Sequence, residues 1–388
     1  MAEIDMKVAF VSIQDVHNVR SWSGIPYSTY HHMSKKADVR PISPISFRES
    51  LWLKAKKRFY KSAKRGRFYP HYHPDAMKSF GQEVDRQVGD ADVIFSIFPD
   101  PAVYAQSSKP WFFFGDATFA SLHRLYPALR DLAPETVRAG HRFWQDGLDR
   151  ATGAIFSCDW AAQSAIEDYG ADPSRVHVVP MGANVPERVS LETVQQALAE
   201  RPQNRCNLLW MGVDWERKGG DEAVAVMQEL RKQGIPATLQ IAGLTEDQIG
   251  PQPEGVTALG FVGKSTPEGR KTWVECFLNA DYFVFPTRAE ASGLVLGEAS
   301  AFGLPSMTTN VGGLASTVVD GVNGYTFPLE SFVESAVSEI LRLSADREAY
   351  NALSLSSFNR YETDLNWDVF SDRLIDIFSQ SVGTATSN

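Results

Sequence analysis

The chain has 388 residues, of which 43% are hydrophobic and 22% charged, with a net charge of −9. That length suits two globular domains, and the acidic surplus excludes a general nucleic-acid binder, which needs basic side chains to neutralise phosphates. No apolar run approaches the roughly 20 residues required to span a bilayer.

Taken in chain order, short apolar runs alternate with helical stretches. Expected strands are 7–13, 92–97, 111–115, 154–157 and 175–179, followed by 207–211, 238–242, 258–262, 282–285, 305–308 and 325–327. No Gly-x-Gly-x-x-Gly follows the first of them, which disfavours a dinucleotide-dependent dehydrogenase. That first run, Val8 to Ile13, is short and preceded by acidic Glu3 and Asp5, so no signal peptide is expected. Buried runs separated by helices imply α/β architecture, with parallel sheets covered on both faces. The polar stretch 187–203 divides the two sets, giving one doubly wound domain over 1–186 and another over 187–365. A terminal helix is expected near 367–380, with 384–388 frayed. Cys158, Cys206 and Cys276 are too far apart for a disulfide framework or a zinc site and are read as buried thiols. A reduced, cytoplasmic protein is the expectation.

The most informative segment follows the run Tyr282–Phe285. Glu290-Ala-Ser-Gly-Leu-Val-Leu-Gly-Glu298 sets two carboxylates eight positions apart around a Ser-Gly turn that starts a helix. The backbone N–H groups of Gly293, Leu294 and Val295 open such a helix without intrahelical acceptors, and its dipole favours an anion there. A carboxylate before the turn and another inside the helix cannot hold a phosphate, but each suits sugar hydroxyls. Together they describe a site for a nucleotide-diphosphate sugar.

This segment, continuing to Gly303 and Pro305, resembles the donor site of the retaining glycosyltransferases of family 4, which have the GT-B fold. Gly212-Val-Asp-Trp-Glu-Arg217-Lys218-Gly219 is similar to the family's glycine-to-Lys-Gly loop. Asn310-Val-Gly-Gly313, Asp320-Gly-Val-Asn-Gly324 and Val178-Val-Pro-Met-Gly-Ala-Asn184 match further family segments in the right order. The resemblance implies two Rossmann-like domains facing across a cleft, with the terminal helix, 366–388, crossing back onto the first. It also implies metal-independent transfer of a sugar, with retention, to a glycan or lipid-linked acceptor, and no cofactor beyond the donor itself. Lys218 is then expected on the diphosphate, with Arg217 replacing the arginine that relatives carry where this chain has Val213. Glu298 is expected on the ribose and Glu290 beside the transferred sugar. Gly212 shapes the loop, and Ser292, where relatives often have an aromatic residue, either caps the helix or reaches a phosphate. The base is expected near the loop 258–263, with Phe261 read as core.

In the first domain, Trp22-Ser-Gly24-Ile-Pro26 stands where the family's glycine loop approaches the donor phosphates, with Gly24 alone of the usual pair. Asp116, at the end of the run 111–115, takes the place of a histidine common among relatives. It is the first-domain catalytic candidate, able to accept a hydrogen bond from donor or acceptor, or else to cap the next helix with Thr118 and Ser121. His71 and His73 have no carboxylate or cysteine cluster, so no metal is expected. Residues 54–67 hold eight basic side chains in fourteen, interleaved with Phe59 and Tyr60 and followed by Phe68 and Tyr69. That pattern fits an anionic membrane surface or an anionic acceptor, or equally a solvated helix. The competing functions are a sugar-nucleotide epimerase on the same fold and a non-catalytic nucleotide-sugar-binding protein.

Overall fold

In a computed structural model, which describes residues 6–202 and 204–385, the chain separates into two units, 1–180 with 367–388 and 181–366. The first contains strands β1 (Lys7–Val11), β2 (Asp38–Ile42), β3 (Val93–Ile97), β4 (Trp111–Gly115), β5 (Gly153–Phe156) and β6 (Val176–Val178). They form one sheet in the order β2-β1-β3-β4-β5-β6, all parallel. Its central strands β3, β4 and β5 are buried throughout, as expected where helices cover both faces.

The second unit contains β7 (Cys206–Met211), β8 (Ala237–Ala242), β9 (Val256–Ala258), β10 (Tyr282–Phe285), β11 (Ser306–Thr309) and β12 (Gly324–Phe327). Its order is β12-β11-β10-β7-β8-β9, again all parallel. Each unit has its own apolar core, the second around Trp210, Trp273, Phe277 and Phe283.

Both sheets reverse their winding once, between β1 and β3 in the first and between β7 and β10 in the second. Loops leaving the carboxyl ends of two strands at such a switch point diverge and leave a crevice, the usual ligand site of an open α/β sheet.

The strand β2 was not expected from sequence. It carries Pro41 and alternates charge with small apolar residues, a pattern tolerable only on an edge, and β1 is its sole strand partner among the described residues. In the other direction, the strand expected at 258–262 lies earlier, at Val256–Ala258. Gly260 (φ 68°) turns the chain before it can continue. The terminal helix Trp367–Ala385 packs within the first unit, where Phe378 meets the rings of Phe95 and Phe112, and Phe370 meets Phe114. Helix therefore extends over 384–385 where fraying was expected; 386–388 lie outside the described residues.

Candidate active site

In the second unit, the loops after β7 and β10 flank the switch point. The first runs from Gly212 to Gly219 and is fixed by its carbonyls. That of Arg217 accepts from the Arg288 amide (2.8 Å) and the Thr287 hydroxyl (3.0 Å), and that of Lys218 accepts from the Trp210 indole (3.0 Å). Gly219 adopts φ 71°, and a Cβ there would lie 2.0 Å from the Pro286 carbonyl oxygen. This contact brings the two loops together, and only glycine permits it.

The result is a compact charge cluster. Lys218 Nζ bonds Glu290 Oε2, and Arg217 reaches the same oxygen at 3.4 Å while also donating to the Ala289 carbonyl (2.8 Å) and to Asp214 (3.0 Å). Lys218 also lies 4.6 Å from the Phe285 ring centre. Burial lowers the Lys218 pKa, and Glu290 pulls it partly back. Val213, at the position where an arginine was sought, is 70% exposed.

Four residues beyond Glu290 the helix Leu294–Ala301 begins. Gly293 occupies its N-cap in the left-handed region (φ 66°, ψ 62°) with no side-chain cap. Among the described residues no acceptor meets the amides of Gly293, Leu294 or Val295, so the helix start keeps its donors. Ser292 precedes the cap position and so does not cap the helix; it is buried, and its carbonyl accepts from Thr317 (2.7 Å). The family-like turn 320–324 supports this helix from behind, where buried Asn323 donates to Ser300 Oγ and to the Thr317 carbonyl, each at 3.0 Å.

Glu298 sits one turn into the helix, 7% exposed. Its partner is Lys264, whose Nζ donates to Oε1 at 2.6 Å and to the Asn184 carbonyl at 2.7 Å, above the Trp273 ring at 4.1 Å. Burial raises the Glu298 pKa against the pull of Lys264. Sequence reading missed Lys264, although it directly follows the 258–263 segment assigned to the base. Phe261 in that segment is not core. It is 81% exposed, because β9 ends at Ala258 and the turn at Gly260 carries the ring outward to lie over Gly263.

The other expected site residues lie in the first unit. Gly24 (φ 82°) is the N-cap of the helix Ile25–Met33 and follows Trp22 and Ser23, which are also left-handed (φ 39° and 56°). Three such residues in succession are costly for non-glycine side chains. Asp116 stands after β4, where its carbonyl accepts a weak bond from Cys158 Sγ (3.7 Å). The helix cap is built without it, as a reciprocal pair of Thr118 and Ser121. His73 instead caps the helix Pro74–Gln87 through its ring. Among the described residues no group of three or more His, Cys, Asp or Glu side chains is placed to hold a metal ion.

Residues 54–67 fall partly in the helix Leu51–Ser62. Helical periodicity separates the aromatics that sequence had grouped together. Tyr60 and Phe68 stack inward, and Tyr60 bonds Glu135, whereas Phe59 is exposed together with Leu51 and Trp52.

Residues 205–346 match the family model described as glycosyl transferases group 1. That segment of the chain is similar to this family. The matched segment spans both loops of the charge cluster and both carboxylates, Glu290 and Glu298. Over 282 residues the chain is 28% identical to a D-inositol 3-phosphate glycosyltransferase of Thermomonospora curvata, covering 67% of this chain and 62% of that protein. A protein of the same name from Mycobacterium leprae is 27% identical over 254 residues, 63% of this chain and 58% of that protein. The chain thus spans less than two thirds of the length of these curated relatives.

Among solved structures, sucrose-phosphate synthase from Thermosynechococcus elongatus superposes with a TM-score of 0.66 at 14% identity, covering 98% of this chain and 100% of that one. HepE of Anabaena, solved with UDP and glucose, gives 0.62 at 14% identity, over 97% and 100% of the two chains. WaaG gives 0.58 at 15% identity, over 96% and 99%. The fold of the chain is therefore GT-B, built on two Rossmann-like domains. Among the described residues no helix is long and apolar enough to cross a membrane.

Proposed function

We propose that this protein transfers a sugar, with retention and without a metal, from a nucleotide-diphosphate sugar to a hydroxyl acceptor. The supporting observation is the convergence of Lys218 and Arg217 on one oxygen of Glu290, four residues from the helix start whose amides lack acceptors. Without ligand, Glu290 neutralises two cations. A diphosphate arriving at the helix start takes over both, and fixed positive groups then stabilise the charge that grows as it departs. Glu290, freed from that pair, orients the hydroxyls of the transferred sugar and faces the positive charge at its anomeric carbon. Glu298, held by Lys264, receives the ribose hydroxyls. HepE, a protein of the same fold, is solved with UDP and glucose, which favours this donor class.

In the first unit, Asp116 is the group proposed to accept a hydrogen bond from the acceptor hydroxyl, and Gly24 is proposed to leave room for a ligand to approach the backbone. The exposed Leu51, Trp52 and Phe59, beside the basic side chains of 54–67, support peripheral contact with an anionic membrane face.

Calorimetric titration with UDP, GDP and ADP tests the donor site. One nucleotide should bind wild type and lose about tenfold or more in affinity in Lys218→Ala and in Glu298→Ala, with no change on adding EDTA. Binding by none of the three would reject the donor site.

A further inference from the structure

The first unit contains a cavity of about 590 Å³ at its own switch point, lined by Gln14 from the loop after β1 and by Phe98 and Asp100 from the loop after β3. Its walls are otherwise dominated by aromatic rings, including Tyr72, Phe119 and Trp144. Asp100 is 9% exposed, and among the described residues its carboxylate meets no donor beyond its own backbone amide. No lysine or arginine lines the cavity. The other wall carboxylate, Glu49, has Lys57 at 3.5 Å outside it. His71, also in the wall, is held toward its neutral form by burial and by Lys57.

Burying a carboxylate without a counter-charge is expensive, so a cavity built this way either keeps Asp100 protonated or receives the missing cation from a ligand. Burial alone raises the Asp100 pKa to about 7, so the group is poised to ionise when a cation arrives. Aromatic faces add attraction for an ammonium group and a stacking surface for a ring. An anionic group would meet a carboxylate and ring faces, with no fixed cation to receive it. The backbone supports a ligand role as well. Phe98 is held at φ 60° with its amide on the Phe114 carbonyl (2.7 Å), and its ring packs on that of Trp22, itself at φ 39°, with centroids 4.6 Å apart. Two left-handed aromatic residues packed together at the carboxyl ends of strands mark a place where position outweighs local strain.

We infer that this cavity binds a hydroxylated ring carrying a protonated amine, with Asp100 as the counter-ion of the ammonium group. Resting on the transfer reading above, the ligand is the acceptor, and Asp100 determines acceptor specificity rather than catalysis.

The test titrates the full chain with trans-4-aminocyclohexanol and D-glucosamine, against cyclohexane-1,4-diol and D-glucose as uncharged counterparts. Wild type should bind each amine at least tenfold more tightly than its counterpart, and Asp100→Asn should abolish the difference. In wild type, carbon-detected titration of the Asp100 carboxyl should show its pKa falling on addition of the amine and unmoved by the diol. Equal binding of amine and diol, binding of neither, or an Asp100 pKa indifferent to the amine would each overturn the inference. UDP titrated in parallel separates the two readings. Amine discrimination without UDP binding rejects the transfer reading alone, whereas UDP binding without discrimination rejects the amine site alone.

Discussion

Lys264 shows how one side chain can govern a site it was never expected to join. Burial raises the pKa of Glu298, and the Lys264 ammonium is the charge that opposes that rise. Removing it in Lys264→Met leaves the carboxylate desolvated and unpaired, which pushes its pKa further up. A neutral carboxyl is a poorer acceptor for two ribose hydroxyls, so nucleotide affinity should fall, by about tenfold, and recover as pH is raised. Wild type should vary much less with pH. Asp100 gives a second residue-scale prediction. Its folded pKa of about 7 lies above the ordinary 3.8, so the native state holds a proton that the unfolded chain releases between those values. Stability must then fall as pH rises from about 4 to 7, by up to about 4 kcal/mol. Asp100→Asn should flatten that part of the profile in thermal melts at stepped pH. A variant as pH-sensitive as wild type would exclude Asp100 as the source.

The two loops of the second unit are coupled as elements by Gly219. An alanine there would place Cβ 2.0 Å from a backbone carbonyl, at a φ of 71°, and neither the proline backbone nor the turn can yield cheaply. Gly219→Ala should cost about 2–4 kcal/mol in stability and weaken UDP binding along with it, because Lys218 is the neighbouring residue. Thermal melts and calorimetry on one preparation would check both; binding lost at unchanged melting temperature would contradict a packing role. The helix Leu51–Ser62 yields a different element-scale expectation. Phosphatidylserine vesicles should retain the protein on sedimentation at low salt, and Trp52→Ala/Phe59→Ala should lose that retention. Equal retention of the double variant would remove the apolar face from the contact.

Much of this architecture could be read from sequence, for identifiable reasons. The central strands are continuous apolar runs that only a doubly covered sheet accommodates, so β3, β4, β7 and β10 fell within a residue of expectation. The edge strand β2 escaped because its sequence is half polar and contains proline, a pattern periodicity alone reads as loop. The segment 290–298 was legible because its residues are neighbours in the chain. Lys264 and Glu298 are 34 residues apart, and the aromatic walls around Asp100 come from separate elements, so only the folded chain brings them together. Even so, Asp100 stood between Pro99 and Pro101 at the end of a buried run, a carboxylate placed where a parallel sheet presents its ligands.

At the scale of the whole molecule, the division into two units assigns the terminal helix to the first. Phe370, Leu374, Ile375 and Phe378 are each at most 3% exposed, and the rings of Phe370 and Phe378 meet Phe95 on β3 and Phe112 and Phe114 on β4. Deleting 367–388 should therefore unfold the first unit while 181–366 keeps its nucleotide affinity. Proteolysis of the truncated protein would then leave a resistant fragment that binds UDP, whereas complete digestion would show that the second unit does not stand alone.

That helix also sets an order of events during synthesis. The ribosome releases the segment 181–366 before it has finished the last side chains that cover the first sheet, so the domain begun first is completed last. Until that helix emerges, the rings of Phe95, Phe112 and Phe114 stay without its cover on that face, an apolar surface that chaperones would recognise on the nascent chain. A chain cut before residue 367 would thus carry a finished second unit joined to a first that cannot close.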